Sequence, residues 1–366
     1  MKLKKVSINL KENESNNSWE LDSLLLTDFN LLVGKNSTGK TRIIAWFESF
    51  VSTLKDYTFS DGFSLFDMYS ETKFKLDFET ESGILSYIFS TITKDLDEES
   101  DEQPVNVYEK IIYLGKTVLD RTPEETIIYS FLQNKTLKIS PPDDKLVIHV
   151  RRDKEEFPFL ENIALWAAGV FIYSFNNEND SVGNFYPTIN KLNNNTIKKI
   201  EKDLSLLGYG IQNILIKDDI TNKGKNKELV FIEKGLNKSL LVRDLSQGIR
   251  RTFDVLTLVE ELLQSKKTTI IAIDNLCEGL DYERATKLGK LLIEKLESSN
   301  IQFIATSNDS FLMDVIPIKY WNILQREGNI VRSLNYQNSK DLFDKFRLTG
   351  LSNFDLFSSD YLLQNQ

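Results

Sequence analysis

Gly34-Lys35-Asn36-Ser37-Thr38-Gly39-Lys40-Thr41 matches G-x-x-x-x-G-K-[ST] at every fixed position. It follows a short apolar run, Phe29–Val33, and opens a segment with apolar residues at Ile43, Ile44, Phe47, Phe50, Val51 and Leu54, which is helical spacing. Strand, glycine-bearing loop, helix is the order in which backbone N–H groups and a helix N-terminus make a concave anion site. The glycines let the chain wrap a polyphosphate. Lys40 would set its ammonium on the β- and γ-phosphates, and the Thr41 hydroxyl would coordinate Mg²⁺. The expected ligand is ATP with Mg²⁺, and the candidate contacts are Gly34, Asn36, Ser37, Thr38, Gly39, Lys40, Thr41 and Arg42.

A phosphate loop of this kind needs a second carboxylate on a neighbouring strand. Thr269-Ile270-Ile271-Ala272-Ile273-Asp274 supplies an apolar strand ending in an acid, the Walker B pattern, so Thr41 and Asp274 are the candidate metal ligands. Asp244-Leu245-Ser246-Gln247-Gly248 stands just before a helix expected over Ile249–Leu263, which leads into that strand. The segment reads as a helix N-terminus capped by Ser246, with Asp244 near the positive end of the helix dipole. A capped N-terminus is itself an anion site.

Together these motifs resemble the ABC-type ATPase group that includes RecF, SMC-like repair ATPases and OLD-like bacterial AAA ATPases. The resemblance covers residues 1–55 and about 205–335. Asn36 suits the Gly-x-Asn loop start of that group, and Ser246–Gly248 lies where it carries a Leu-Ser-x-Gly signature, so the resemblance implies that Ser246, Gln247 and Gly248 contact the nucleotide. Asp274-Asn275-Leu276-Cys277-Glu278-Gly279-Leu280-Asp281 lies on its Walker B and D-loop without a gap. The resemblance implies two chains sandwiching ATP between the loop of one and the signature of the other, as a homodimer or higher oligomer. Members usually place Glu after the Walker B Asp and His at the switch position; here Asn275 and Ser307 stand there. An amide orients a water without taking its proton, so slow hydrolysis is expected, with Lys40, Asp274, Asn275 and Ser307 as catalytic candidates and Glu278 as a surrogate carboxylate.

The elements that must hold these residues read as an α/β fold: a P-loop NTPase of the ABC type, with a mixed sheet, an antiparallel β subdomain and an inserted helical region. Expected boundaries are 1–55 and 205–335 for the ATPase core, 56–155 for the antiparallel region, 156–204 for the helical insertion and 336–366 for a tail packing on the core. Strands are expected over Lys73–Thr93, Ile111–Leu114, Thr136–Ile139 and Leu146–Val150. Helices are expected over Phe159–Phe175, Thr196–Leu207 and Glu283–Leu296, with Ile301–Ala305 a strand and a terminal hairpin at Tyr320–Leu334. The acidic run Asp95–Glu102 and the Asn-rich stretch Asn176–Asn195 read as exposed connections.

Composition narrows the chemistry further. In 366 residues there is one Cys and one His, which excludes an internal disulfide, a cysteine zinc cluster and a multi-histidine metal site. The net charge of −9 repels phosphate polymers, so nucleic acid is not indicated as a partner without a local basic patch, for which the Lys223–Lys227 hairpin tip is the better candidate. A RecF-like DNA clamp is the alternative reading. The longest apolar run, Ile163–Tyr173, is about half the ~20 residues that span a bilayer. The N-terminus alternates as a strand does, so a soluble cytoplasmic protein without a membrane partner is expected. His149 and Cys277 read as packing residues. The residues after the last α/β strand are too few for the nuclease domain of OLD-like proteins, so the effector is expected to be a separate protein. The resemblance adds an expected role in bacterial anti-phage defence or genome maintenance.

Overall fold

Strands covered on both faces need apolar residues at consecutive positions, and the short runs read above become the interior of a sheet for that reason. The computed structural model describes residues 1–12, 17–56, 69–93, 105–143, 145–174, 192–218, 227–236, 239–265 and 268–358. It opens with β1 (Lys2–Glu12), β2 (Ser18–Leu25), β3 (Phe29–Val33) and α1 (Lys40–Asp56). An antiparallel series follows: β4 (Tyr69–Thr80), β5 (Gly83–Thr93), β6 (Val105–Tyr113), β7 (Lys116–Arg121), β8 (Thr126–Ser130) and β9 (Lys135–Ile139). Next come α2 (Val147–Val150), α3 (Pro158–Ala168), β10 (Val170–Ser174), α4 (Asn194–Leu206), β11 (Ile211–Asp218), β12 (Lys227–Glu233) and β13 (Ser239–Leu241). The C-terminal part runs α5 (Gln247–Ser265), β14 (Thr269–Asp274), α6 (Tyr282–Leu296), β15 (Ile301–Thr306) and α7 (Ser310–Val315). It closes with β16 (Trp321–Glu327), β17 (Ile330–Asn335), α8 (Lys340–Arg347) and α9 (Asn353–Ser358).

Fourteen strands form one mixed sheet in the order β10-β14-β15-β3-β16-β17-β2-β1-β4-β5-β6-β7-β8-β9, and β11-β12-β13 form a separate small one. From β10 to β16 the strands are parallel. From β2 through β1 outward to β9 they are antiparallel. This is the α/β class with a large mixed sheet. The two-residue period of a strand splits the core into two layers. Ile270 and Ala272 of β14 join Leu32, Ile304 and the α1 and α3 residues Phe47, Phe50 and Trp166. Ile271 and Ile273 face the other way, with Leu31, Val33, Phe303 and the apolar stripes of α4, α5 and α6. Phe343, Phe346 and Leu356 from α8 and α9 are buried in that second layer. Lys295 ties three of its helices together, bonding Asp203 at 2.9 Å and Glu260 at 2.6 Å.

Two expected elements are different in the structure. Leu146–Val150 is not a strand: Val147–Val150 forms a short helix, because the Val147 N–H is taken by the Glu109 carboxylate at 2.9 Å. Phe159–Phe175 is not one helix. It stops at Ala168, where the Gly169 N–H closes the last turn on Leu165 and Trp166, and Val170–Ser174 pairs in parallel with β14. A side chain on Gly169 would meet the Thr268 carbonyl at 3.2 Å, so glycine permits the close approach of α3 to the strand it feeds. Strands β7 and β8 had no counterpart in the sequence reading. The acidic run Asp95–Glu102, residues 176–191 of the Asn-rich stretch, and Lys223 and Lys225 lie outside the described residues. Among the described residues no helix is long and apolar enough to cross a membrane.

Candidate nucleotide-binding site

Strand β3, buried at all five positions, delivers Gly34 at its C-terminal end, and α1 begins at Lys40. Between them the loop is tight. A Cβ on Gly34 would sit 2.6 Å from Thr38 Oγ1 and 3.0 Å from the Leu324 carbonyl, so only glycine fits. Ser37 has φ 66° and Gly39 φ 104°, both left-handed. The Lys35 carbonyl accepts from the Thr38 hydroxyl at 2.9 Å, the Thr38 N–H at 3.3 Å and the Lys40 ammonium at 3.2 Å. Lys40 Nζ also donates to the Gly34 carbonyl at 2.6 Å. Its buried ammonium is thus held inside the loop. Burial pulls the Lys40 pKa below the ordinary lysine value, and the charge of Asp274 pulls the other way. A polyphosphate entering the loop would relieve that desolvated cation.

Asp274 ends β14 beside the loop. Its Oδ1 accepts from the Thr306 hydroxyl at 2.6 Å and from the Thr41 hydroxyl at 3.3 Å. Thr41 and Asp274, far apart in sequence, therefore meet as a pair of hard oxygen donors, a set that suits Mg²⁺ held together with phosphate oxygens. Among the described residues no cluster of three or more His, Cys, Asp or Glu could hold a metal by itself.

The turn after Asp274 is built from alternate left-handed residues: Asn275 (φ 56°), Cys277 (φ 70°) and Gly279 (φ 78°). Asparagine is one of the few residues enriched at such φ values, so Asn275 has a conformational reason as well as a chemical one. Its N–H donates to Thr306 Oγ1 at 2.8 Å, and its side-chain amide lies 3.4 Å from Asp274 Oδ2. Ser307 is buried beside the same turn. Its hydroxyl donates to the Leu276 carbonyl at 3.0 Å and accepts from the Asp309 N–H at 3.1 Å. Glu278 is exposed, and its carbonyl accepts from Arg251 of α5 at 3.1 Å. Asn36 and Arg42 are exposed along the phosphate loop, with the Arg42 guanidinium over the Trp19 ring.

Ser246 and Gln247 are exposed at the start of α5, and Gly248 is half-buried against Leu280. The structure thus gathers the loop, Asp274, Asn275 and Ser307 around the ends of β3, β14 and β15. It displays Ser246 and Gln247 at the head of a separate helix. Two turns into α5, Asp254 is buried and accepts from the Tyr173 hydroxyl at 3.3 Å. Burial pushes its carboxyl up to about 7, against that hydrogen bond and the Arg250 charge. Between about pH 4, where an unfolded Asp titrates, and about pH 7, the folded chain keeps a proton that the unfolded chain has lost. Stability at this site therefore falls as pH rises through that window and is level above it. Asp254→Asn should remove the slope, and melting temperatures of both proteins from pH 5 to 8 will show the two curves diverging as pH rises.

Residues that spacing in the sequence did not point to also touch the site. Thr306 bridges Asp274 and Asn275. Trp19 of β2 lies under Gly39, with its ring carbon Cζ2 3.1 Å from where a Cβ on that glycine would be. Arg326 of β16 donates to the Ser37 carbonyl at 3.1 Å. Thr306 and Arg326 come from strands remote from the loop in the chain and Trp19 from β2, just before β3; no local pattern marks them.

A family model described as "AAA domain, putative AbiEii toxin, Type IV TA system" matches residues 29–314. No curated protein sequence matches the chain. Among solved structures, an SMC head bound to the C-winged helix domain of ScpA is similar with a TM-score of 0.54 at 12% identity, covering 91% of this chain and 98% of that one. The SMC head domain from Thermotoga maritima gives a TM-score of 0.47 at 14% identity, covering 92% of this chain and 99% of that one.

Proposed function

The chain belongs to this AAA domain family, an ABC-type ATPase of the SMC and RecF group, and from that premise we propose that it is a nucleotide-dependent dimeric switch with slow ATP hydrolysis. One observation carries the reading. The phosphate loop, Thr41 and Asp274 are joined in one subunit, while Ser246 stands exposed at a helix N-terminus, on the surface that a second copy's triphosphate would approach. Lys40 and the loop amides bind the β- and γ-phosphates; Thr41 and Asp274 would hold Mg²⁺, which screens the phosphate charge. Asn275 orients a water but takes no proton from it. Ser307 shapes the turn that carries Asn275. Exposed Glu278 stands on the D-loop, where a second copy would approach.

The toxin and TA-system wording of the family supports a role in bacterial defence, with the effector on a separate protein. Residues 1–55 and 205–335 form the switch in this reading, and the intervening residues form its sensing surface. Light scattering after size exclusion should show wild type as a monomer without nucleotide and a dimer with ATP and Mg²⁺. Ser246→Arg should still bind ATP and stay monomeric. Hydrolysis should lie well under roughly one turnover per second, the low end of enzyme rates. Dimers that ignore ATP, or turnover at many per second by the isolated protein, would overturn the proposal.

A further inference from the structure

The phosphate loop is strapped from outside by the β16–β17 turn. Arg326 Nη1 donates to the Ser37 carbonyl at 3.1 Å, while Nε of the same guanidinium donates to the Gly328 carbonyl at 2.9 Å. That second bond fixes the planar group in its own turn, so the first holds Ser37 against a rigid anchor. One residue on, Asn329 binds β2: its side chain donates to Ser18 Oγ at 2.6 Å, and its carbonyl accepts from the Glu20 N–H at 2.9 Å. Between Ser18 and Glu20 stands Trp19, the residue under Gly39.

Ser37 needs such a strap. It is not glycine, yet it sits at φ 66°, a conformation that costs an L-residue roughly 1–2 kcal/mol and persists only where its surroundings impose it. In a trans peptide the carbonyl of Ser37 and the N–H of Thr38 point to opposite sides. Holding that carbonyl outward turns the Thr38 N–H inward, and in the structure it does point inward, to the Lys35 carbonyl that Lys40 also binds.

We infer that Arg326 is a positioning residue for nucleotide binding, which acts on the Ser37–Thr38 peptide and pre-forms the phosphate cradle. The inference rests on the ATP-binding reading and names a determinant of it. Titration calorimetry with ATP and with ADP tests it on wild type, Arg326→Ala and Arg326→Lys. The alanine variant should bind both nucleotides about threefold to tenfold more weakly, as expected for one lost hydrogen bond. Its kcat should be unchanged while KM rises. The lysine variant should recover part of the affinity, since its ammonium can reach Ser37 but lacks the second anchor on Gly328. A loss larger for ATP than for ADP, and erased by salt, would mean that Arg326 touches the terminal phosphate and would overturn a positioning role. So would unchanged affinity, or a fall in kcat at constant KM. Wild type that binds no ATP defeats the underlying reading; wild type that binds it as tightly as Arg326→Ala does defeats only this inference. Should the alanine variant misfold, Arg326→Lys and Arg326→Gln carry the same comparison.

Discussion

Lys40→Ala should lose ATP affinity by two to three orders of magnitude and keep its fold. The ammonium is buried, lies inside the loop, and is the side-chain cation held there by the backbone carbonyls of Gly34 and Lys35. Removing one partner of a buried charge pair costs roughly 3–4 kcal/mol, which is a hundredfold to a thousandfold in Kd. The unliganded protein should suffer little. Burial already disfavours the charged form of Lys40, alanine suits the first position of a helix, and the Lys35 carbonyl keeps the Thr38 hydroxyl and N–H as donors. Calorimetry with ATP, alongside thermal melts without it, separates the two effects. An affinity within a few fold of wild type would show that nucleotide does not bind in this loop.

Arg121→Ala should be the most destabilising single change away from the nucleotide site. Glu109 and Arg121 face each other on β6 and β7, both almost wholly buried, 3.0 Å apart. The carboxylate also accepts from the Tyr87 hydroxyl at 2.8 Å and the Val147 N–H at 2.9 Å. The guanidinium reaches on to the carbonyls of Lys145 and Pro142. Burial pushes the Glu109 carboxyl above the ordinary value, and the Arg121 charge is the largest influence opposing it. Taking away the arginine strands a buried carboxylate and takes one donor from each of two carbonyls, of which Pro142 keeps the Lys145 N–H; the loss costs about 3–5 kcal/mol. Urea unfolding should move accordingly, and hydrogen exchange at the Val147 amide should quicken first, because that N–H ends on Glu109. A shift of a few tenths of a kcal/mol would show that water solvates this pair.

The loop motif was legible because all its fixed residues are contiguous, and a contiguous signal carries its own flanks. Strands β3, β14 and β15 were legible for a related reason: double burial makes them mostly apolar runs, with Asn30 and Gln302 the interior polar interruptions. The α3–β10 segment was misread because Phe159–Tyr173 is apolar in both halves, and periodicity does not separate a buried helix from a buried strand. Gly169 was the signal that would have divided it. Leu146–Val150 is short, apolar and rich in β-branched residues, yet a carboxylate 38 positions upstream takes its first helical N–H. In the site, Asn275 looked like a chemical departure until its left-handed φ supplied a backbone reason. Thr306, Arg326 and Trp19 had no local signature at all; sheet order alone places them beside the loop.

That sheet order also dictates when the pocket can come into being. Strand β3 is flanked by β15 and β16, and the buried Asn30 amide on it donates to the Phe303 carbonyl, 273 positions later. At roughly 5–20 residues per second a ribosome needs about a quarter of a minute to a minute to supply those neighbours. Throughout that interval the nascent chain carries the whole glycine loop with no wall on either side of it. Nucleotide therefore cannot template early folding, and its capture becomes a late checkpoint reached only by molecules whose two ends have met.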